Sequence, residues 1–180
     1  AAQLRDAINS ERVSSVPTPQ RSNNEKLAAT LVDAGCIIFG DFTLKSGHQS
    51  PFYIDLRRLA SFPLALHTIA AAFQPMLDKL NFDCVAAIPY AGLPIGTAVT
   101  MAGGWPLIYV RRETKQHGTL SRVEGVFQTG DTAVVLDDLI TTGESKFETI
   151  ETLSTHGIRV RDIAVLIDRE QGAAATLTTA

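Results

Sequence analysis

The sequence predicts an α/β protein in which a central parallel sheet is flanked by helices. Four apolar runs have the length and the β-branched residues of buried strands: 83–88, 106–110, 132–136 and 160–167. Helical patterns at about 94–103 and 143–156 lie between these runs, and Gly157 closes the second helix. Strands that alternate with helices indicate a parallel sheet covered on both faces, which binds ligands at the carboxyl ends of its strands.

Composition narrows the class of protein. The chain has 180 residues, of which 45% are hydrophobic and 19% charged, as expected for one globular domain of ordinary size. A net charge of −3 gives no electrostatic case for a nucleic-acid partner. Neither a membrane-spanning run nor the order of a signal peptide is present, so we expect no membrane partner. Cys36 and Cys84 lie in apolar surroundings without metal-ligand spacing, which predicts buried thiols in a reducing cytoplasm.

A linker divides the chain near its start. Residues 1–12 have a helical pattern, and the stretch SSVPTPQRSNN that follows is typical of a linker. We therefore predict an N-terminal helix and linker at 1–22 and a globular domain at 23–180. The first part is either an extension or the tail of a domain fused upstream. Asn23 is the expected N-cap of the first helix of the domain.

Two further elements precede the regular alternation. Residues 41–57, DFTLKSGHQSPFYIDLR, alternate, turn at 46–49 and alternate again, which predicts a hairpin or a pair of short strands. Pro63 is predicted to open a helix that runs to about Asn81, and Pro75 is expected to kink it.

Two adjacent carboxylates follow the apolar run 132–136. Asp137 and Asp138 repel each other and lose hydration unless hydroxyl or positive groups meet them. The next residues, Thr141 to Ser145, have the composition of the first turn of a helix, where backbone N–H groups are unpaired. Acceptors and donors a few residues apart suit a ligand that carries both a diol and a phosphate. An acid pair alone is more often a solvated loop, but the whole block of strand, acids, Thr-Thr-Gly and helix favours a binding site.

Four stretches, in the right order, resemble the orotate phosphoribosyltransferases, a family of type I phosphoribosyltransferases that includes the form fused in UMP synthases. They are FTLKSGHQSPFYIDLR, RRETKQHG, VVLDDLITTGES and LIDREQG, within roughly residues 24–172. The resemblance implies the type I phosphoribosyltransferase fold with an N-terminal hood built from residues 24–57. Members of the family usually continue with a further strand or helix after the position of Gly172, so we expect a domain that is short at its C-terminus.

The resemblance assigns a set of residues to phosphoribosyl diphosphate (PRPP). It implies that Asp137 and Asp138 hold the ribose hydroxyls, while backbone amides of the following segment cradle the 5′-phosphate. The full PRPP-binding set is Tyr90, Arg111, Arg112, Lys115, His117, Asp137, Asp138, Leu139, Ile140, Thr141, Thr142, Gly143, Glu144 and Ser145. The implied catalytic residues are Lys115, His117, Asp137 and Asp138.

The basic segment RRETKQHGTLSRVEG, residues 111–125, has two interpretations. It is either a solvated charge run or, because it is long for a connection inside an α/β domain, a lid. The resemblance favours the lid and implies a homodimer in which it reaches the adjacent subunit's site. Lys115 would then stabilise the departing diphosphate, because positive charge placed where negative charge develops is catalytic.

The loop IPYAGLP, residues 88–94, matches the diphosphate-binding loop of the family, although its glycine and prolines are also ordinary turn residues. Microbial members with a single function often have Tyr-Lys where this chain has Tyr90 and Ala91, which leaves Tyr90 and backbone amides to bind. The family often has a non-proline cis peptide here, which we expect between Pro89 and Tyr90.

A second set of residues is assigned to orotate by the resemblance: Lys45, Phe52, Tyr53, Ile54, Thr141 and Arg169. Simpler interpretations stay open for several of them. Lys45 is also compatible with an exposed turn, the two aromatic residues with the core, and Arg169 with an ion pair to Asp168 or Glu170. The carboxylate of orotate suits the guanidinium fork of Arg169.

The resemblance implies a glycosyltransferase that makes orotidine 5′-monophosphate and diphosphate from orotate and PRPP in de novo pyrimidine biosynthesis. Mg²⁺ would bridge the diphosphate and ribose oxygens and would be held mainly through substrate and water, with few direct protein ligands. Two alternatives remain: a phosphoribosyltransferase for another base, against which Lys45 and Arg169 argue, and a PRPP-binding regulator without turnover, against which Lys115 and His117 argue. A fused orotidine monophosphate decarboxylase domain is a further expectation.

Overall fold

A five-stranded sheet forms the centre of the computed structural model, which describes residues 22–43, 47, 49–112 and 121–178. Its strands are β3 (Cys84–Ala87), β4 (Leu107–Val110), β5 (Val123–Glu124), β6 (Thr132–Ile140) and β7 (Arg159–Asp168). The spatial order is β5-β4-β3-β6-β7. Neighbouring strands are parallel except for β5, which pairs antiparallel with β4. The predicted parallel sheet is thus correct for four strands, and the short antiparallel β5 makes the sheet mixed.

Helices cover both faces of this sheet, as predicted. They are α1 (Asn23–Asp33), α2 (Pro63–Leu77), α3 (Gly92–Gly103) and α4 (Glu144–Thr155), and a short α5 (Ala173–Thr178) follows β7. One core cluster joins α1, α2 and α3 to one face of the sheet, and a second joins α4 to the other face. Strand β6 divides its side chains between them, because Val134 and Leu136 pack in the first cluster and Ala133 and Val135 in the second.

The hood begins with a hairpin outside the central sheet. Its strands are β1 (Ile37–Thr43) and β2 (Gln49–Ile54), so the predicted hairpin starts four residues earlier than expected. Hydrophobic side chains on this hairpin remain in contact with solvent, including Phe39, which is 71% exposed. A 3₁₀ helix (Leu56–Ser61), which the sequence did not indicate, follows β2 and packs Leu56 and Leu59 into the first core cluster.

Several predicted boundaries shift by a few residues. Ser22, rather than Asn23, caps α1: its hydroxyl accepts from the backbone N–H of Glu25 at 3.2 Å, and its own N–H donates to the Glu25 carboxylate at 2.7 Å. Helix α2 ends at Leu77 instead of Asn81 and contains Pro75. Helix α3 begins at Gly92, two residues before the predicted start.

The most important shift concerns β6, which extends to Ile140 and therefore contains both acids. The prediction ended this strand at Leu136, where the apolar run ends. Strand β3 pairs with β6 only as far as Leu136, but β7 continues to pair with it through Ile140 and Asp168. Pairing on one side therefore carries the acid pair beyond the carboxyl end of the neighbouring strand.

None of the helices in the described part of the chain is both long enough and apolar enough to span a membrane. Cys36 and Cys84 are buried free thiols, as predicted. The predicted helix at 1–12 lies outside the described residues, as does most of the linker.

Candidate active site

A cleft of about 380 Å³ opens at the carboxyl end of the sheet. The hood contributes Tyr53 to Arg57, the loop after β3 contributes Ile88 to Ala91, and Arg112 follows β4. The end of β6 and the first turn of α4 complete the wall with Asp137, Asp138, Leu139 and Lys146. The acid pair thus lies where the topology of an α/β sheet places ligands.

The two acids differ in their surroundings. Asp137 is 4% exposed, and its Oδ1 accepts the backbone N–H of Asp138 at 2.9 Å. Burial, reinforced by the negative charge of Asp137, raises the pKa of Asp138 to about 6. The Lys146 ammonium, which is ion-paired with Asp137, opposes this rise. At neutral pH the site therefore presents an ionised Asp138 beside a carboxylate that already has a cation.

The loop after β3 packs closely against the acids. A Cβ atom on Gly92 would lie 3.2 Å from the Leu136 carbonyl oxygen and 3.3 Å from Oδ1 of Asp137, so the absence of a side chain allows this approach. The Pro89–Tyr90 peptide is cis, as the resemblance predicts. The guanidinium of Arg112 lies 5.0 Å from the centre of the Tyr90 ring and donates to the Pro89 carbonyl oxygen at 3.0 Å. Tyr90 and Arg112 therefore form one unit on the rim of the cleft.

Both ends of the predicted lid, residues 111–125, are fixed to the body of the domain, and the C-terminal end includes β5. Arg111 forms an ion pair with Glu124 at 2.8 Å and donates to the Ser121 carbonyl oxygen at 2.6 Å. Arg122 forms an ion pair with Glu148 of α4, also at 2.8 Å. The base of the predicted lid is thus tied to the helix that begins beside the acid pair.

The structure brings together only part of the predicted site. The predicted residues that line the cleft are Tyr53, Ile54, Tyr90, Arg112, Asp137, Asp138 and Leu139. The segment Ile140 to Gly143 leads from β6 into α4, and Gly143 has the positive φ of 88° that suits glycine. Arg169 follows β7, and its backbone N–H donates to the Ile140 carbonyl oxygen at 3.0 Å, which places it beside the end of β6. Lys45, Lys115 and His117 lie outside the described residues.

Some of the predicted site residues do not line the cleft. Among the described residues, Phe52 and Arg111 are not part of the cleft wall. Phe52 precedes Tyr53 on β2 but, unlike Tyr53 and Ile54, does not line the cleft. Arg111 is engaged at the lid base, as described above.

Three charged residues of the cleft were missed by the sequence reasoning: Asp55, Arg57 and Lys146. Arg57 forms an ion pair with Asp55 at 2.7 Å, and this hydrogen bond holds the pKa of Asp55 below its usual range. Both residues stand in the quoted stretch ending YIDLR, so the motif contained the signal. The sequence also contained a signal for Lys146, because a lysine in the first turn of a predicted helix interacts unfavourably with the helix dipole.

Comparison with known structures first defines the class of protein. Adenine phosphoribosyltransferase from Saccharomyces cerevisiae superposes with a TM-score of 0.62 over 83% of this chain and 94% of its own, at 15% identity, which shows a shared fold. Together with solved orotate phosphoribosyltransferase structures at higher identity, this match identifies the fold as that of a type I phosphoribosyltransferase. A scan against protein-family models returned no match.

Sequence relatives are more specific. The orotate phosphoribosyltransferase of Thermococcus gammatolerans is 36% identical, over 86% of this chain and 83% of its own length. The chain belongs to the orotate phosphoribosyltransferase family.

Larger proteins also match. The Uridine 5′-monophosphate synthase of Bos taurus is 41% identical over 81% of this chain and 31% of its own. The structure of Leishmania donovani UMP synthase has a TM-score of 0.78 at 45% identity, over 86% of this chain and 33% of that one. This chain thus spans about a third of the length of these two proteins.

Proposed function

We propose that this chain transfers the 5-phosphoribosyl group of PRPP to N1 of orotate, which gives orotidine 5′-monophosphate and diphosphate. The observation that carries the proposal is the acid pair at the end of β6, which faces Tyr53 and Ile54 of the hood across one cleft. A ribose with two hydroxyls suits the acids, and a flat ring suits the hood wall. Family membership supports the choice of orotate as the base.

In the proposed reaction N1 of orotate attacks C1 of the ribose, and the bond from C1 to the diphosphate oxygen breaks. Asp138 accepts hydrogen bonds from the ribose hydroxyls and so fixes the ring, and its negative charge favours the positive charge that develops at C1. Backbone amides from Thr141 to Ser145 hold the 5′-phosphate at the start of α4. Tyr90 and Arg112 meet the diphosphate from the rim of the cleft, where Arg112 is already held by the Pro89 carbonyl group.

The remaining predicted contacts complete this proposal. Lys45 and Arg169 recognise the carboxylate and carbonyl groups of orotate, with Tyr53, Ile54 and Thr141 around the ring. Lys115, His117 and Arg111 act from the lid of the adjacent subunit in a homodimer.

Mg²⁺ is the proposed cofactor, and the described residues fit a metal ion that arrives with the substrate. No group of three or more His, Cys, Asp or Glu residues in the described part of the chain is arranged to hold a metal ion. Diphosphate and ribose oxygens, together with water, would hold it, and it would neutralise the leaving group. We expect that excess EDTA abolishes turnover and that added Mg²⁺ restores it.

Two wider assignments are also proposals. The buried free thiols of Cys36 and Cys84 support a cytoplasmic location. The names and lengths of the UMP synthase relatives support fusion to an orotidine monophosphate decarboxylase, which the mass of the protein isolated from its natural source would test.

The decisive experiment follows orotate absorbance after PRPP and Mg²⁺ are added. We expect a loss of absorbance that requires both additions, with orotidine 5′-monophosphate and diphosphate as products. Adenine and hypoxanthine in place of orotate test the phosphoribosyltransferases for other bases. Tight PRPP binding without consumption of any base would contradict the proposal and favour the regulator.

A further inference from the structure

Lys146 is a buried cation in the wall of the cleft, and none of the roles above uses it. It lies in the first turn of α4, and its side chain is 6% exposed. Its ammonium is ion-paired with Asp137 and donates to the Leu139 carbonyl oxygen at 3.2 Å. Because these two acceptors lie on the same strand, Lys146 joins the start of α4 to the last residues of β6.

This position is unfavourable for a lysine unless its charge is used. A buried ammonium loses its hydration, and the dipoles of the first helical turn favour negative charge. An apolar side chain of similar volume would fill the same space without either cost. The contact with Asp137 offsets the cost, so the charge of Lys146 is directed at the acid pair.

Other titratable or charged groups face the acids from the elements packed around them: Tyr53, Asp55 and Arg57 from the hood, Tyr90 from the loop after β3, and Arg112 from the lid base. The Arg57 guanidinium is committed to Asp55, and the Arg112 guanidinium packs on Tyr90. Among the described residues, Lys146 is therefore the cation in direct contact with the pair.

We propose that Lys146 is a positioning residue that gives the two acids different roles. Its ammonium neutralises Asp137 and holds that carboxylate as an anchor at the end of β6. Asp138 is left as the carboxylate that accepts the ribose hydroxyls. The identity of the ligand rests on the proposed function, but the division of charge is a property of the free protein.

The first test is a titration of the free protein by carbon-detected NMR of labelled aspartate carboxyl groups. In Lys146→Met the two acids have to share a proton, so we expect the upper midpoint of the pair to rise by about one pH unit or more. Lys146→Arg keeps the charge and should stay within about half a unit of the wild type. Lys79→Met, at an exposed position far along the chain, removes the same charge and should change nothing. An unmoved midpoint in Lys146→Met would overturn the proposal.

A double variant provides a second test that does not depend on the folding of Lys146→Met. Asp137→Asn with Lys146→Met removes both partners and leaves no buried charge between β6 and α4. The repulsion from Asp137 and the weaker opposing attraction of Lys146 are then both absent, so the midpoint of Asp138 should fall below its wild-type value. A midpoint above the wild-type value in this folded variant would also overturn the proposal.

The second test measures PRPP affinity by calorimetry between pH 5 and 9. In Lys146→Met the pH below which PRPP affinity is lost should rise together with the NMR midpoint. PRPP affinity at pH 7 should therefore fall about tenfold relative to the wild type and recover towards pH 9. A loss of the same factor at every pH would mean a merely structural role or direct ligand contact, and would reject the positioning role. If the wild type bound no PRPP, the proposed function would fail, while the NMR titration would still decide the role of Lys146.

Discussion

The adjacent residues Asp137 and Asp138 have the same side chain but opposite effects on the free protein. Asp137 is buried against a cation, whereas burial and the neighbouring carboxylate raise the pKa of Asp138 to about 6. Removal of Asp137 would therefore leave a buried cation without its partner, whereas removal of the charge of Asp138 would relieve a repulsion. Neighbouring substitutions of the same kind should separate these effects.

For Asp138→Asn we expect a higher Tm than for the wild type at pH 7, by a free energy of about 1 kcal/mol, because partial exposure weakens the effect. The folded pKa of about 6 lies above the ordinary aspartate pKa of 3.8, so the ionised acid costs stability in full above pH 6. That cost to stability shrinks as the pH falls from about 6 to 3.8 and is absent at lower pH. Thermal unfolding of both proteins from pH 7.5 to 3.5 should show a difference in Tm that shrinks towards zero. A constant difference would contradict the assignment.

For Asp137→Asn we expect the reverse sign. Lys146 would keep its buried position without an anion, and removal of one partner from a buried ion pair costs about 3 kcal/mol or more. Urea denaturation at pH 7 should give a lower midpoint with an unchanged slope. The double variant Asp137→Asn with Lys146→Met serves as the control and should recover most of the lost stability.

At the scale of elements, the sequence predicted most of the sheet and its helices but ended β6 too early. The apolar run stops at Leu136, and a strand continues through two acids only because β7 pairs with it there. Such pairing depends on a strand that begins more than twenty residues later, so no local pattern reveals it. The short β5 is also invisible in the sequence, because its two residues have no period to detect.

The same limit applies to the candidate site. Residues carried by recognisable motifs, such as Tyr53, Tyr90 and the acids, were predicted to form one site, and they line one cleft. Lys146 was missed because its role depends on the distance between the first turn of α4 and the end of β6. That distance is set by the register of β6 with its neighbours and the packing of α4, both of which are tertiary properties.

Helix α3 provides a prediction at this scale. A Cβ atom on Gly96 would lie 2.7 Å from the Ala87 Cβ of β3, closer than side chains tolerate. Gly96→Ala should therefore destabilise the protein by about 1–3 kcal/mol, although alanine is the better helix former by about 1 kcal/mol. Urea denaturation would measure the change. Thr97→Ala, at an exposed position of the same helix, is the matched control and should have little effect. An increase in stability with Gly96→Ala would show that α3 does not pack this closely on β3.

At the scale of the whole molecule, we propose that the site is shared between the two chains of a homodimer. If Lys115 acts across the interface of a homodimer, Lys115→Ala and Asp138→Asn each inactivate a different half of a shared site. Each pure homodimer should then be inactive. Unfolding and refolding an equal mixture gives about half heterodimers, each with one intact site, so about a quarter of wild-type activity should return.

The refolded wild type is the control for this mixing experiment, and orotate consumption is the measurement. If Lys115 serves its own subunit, every site in the mixture carries one lesion and no activity returns. An inactive mixture beside a fully active control would therefore reject the shared site. It would leave the membership of the family unaffected.

The hairpin β1–β2 supplies one wall of the cleft while standing outside the central sheet, whereas the acids are built into β6. Amino-acid substitutions can therefore accumulate at different rates in the two walls during evolution. Changes in the hairpin alter the shape presented to the base without disturbing the register of the sheet, while changes at the acids disturb the paired end of β6. A scaffold divided in this way lends itself to retargeting: under the proposed function, the half that binds the sugar phosphate would be kept while changes in the hood accommodate a new base.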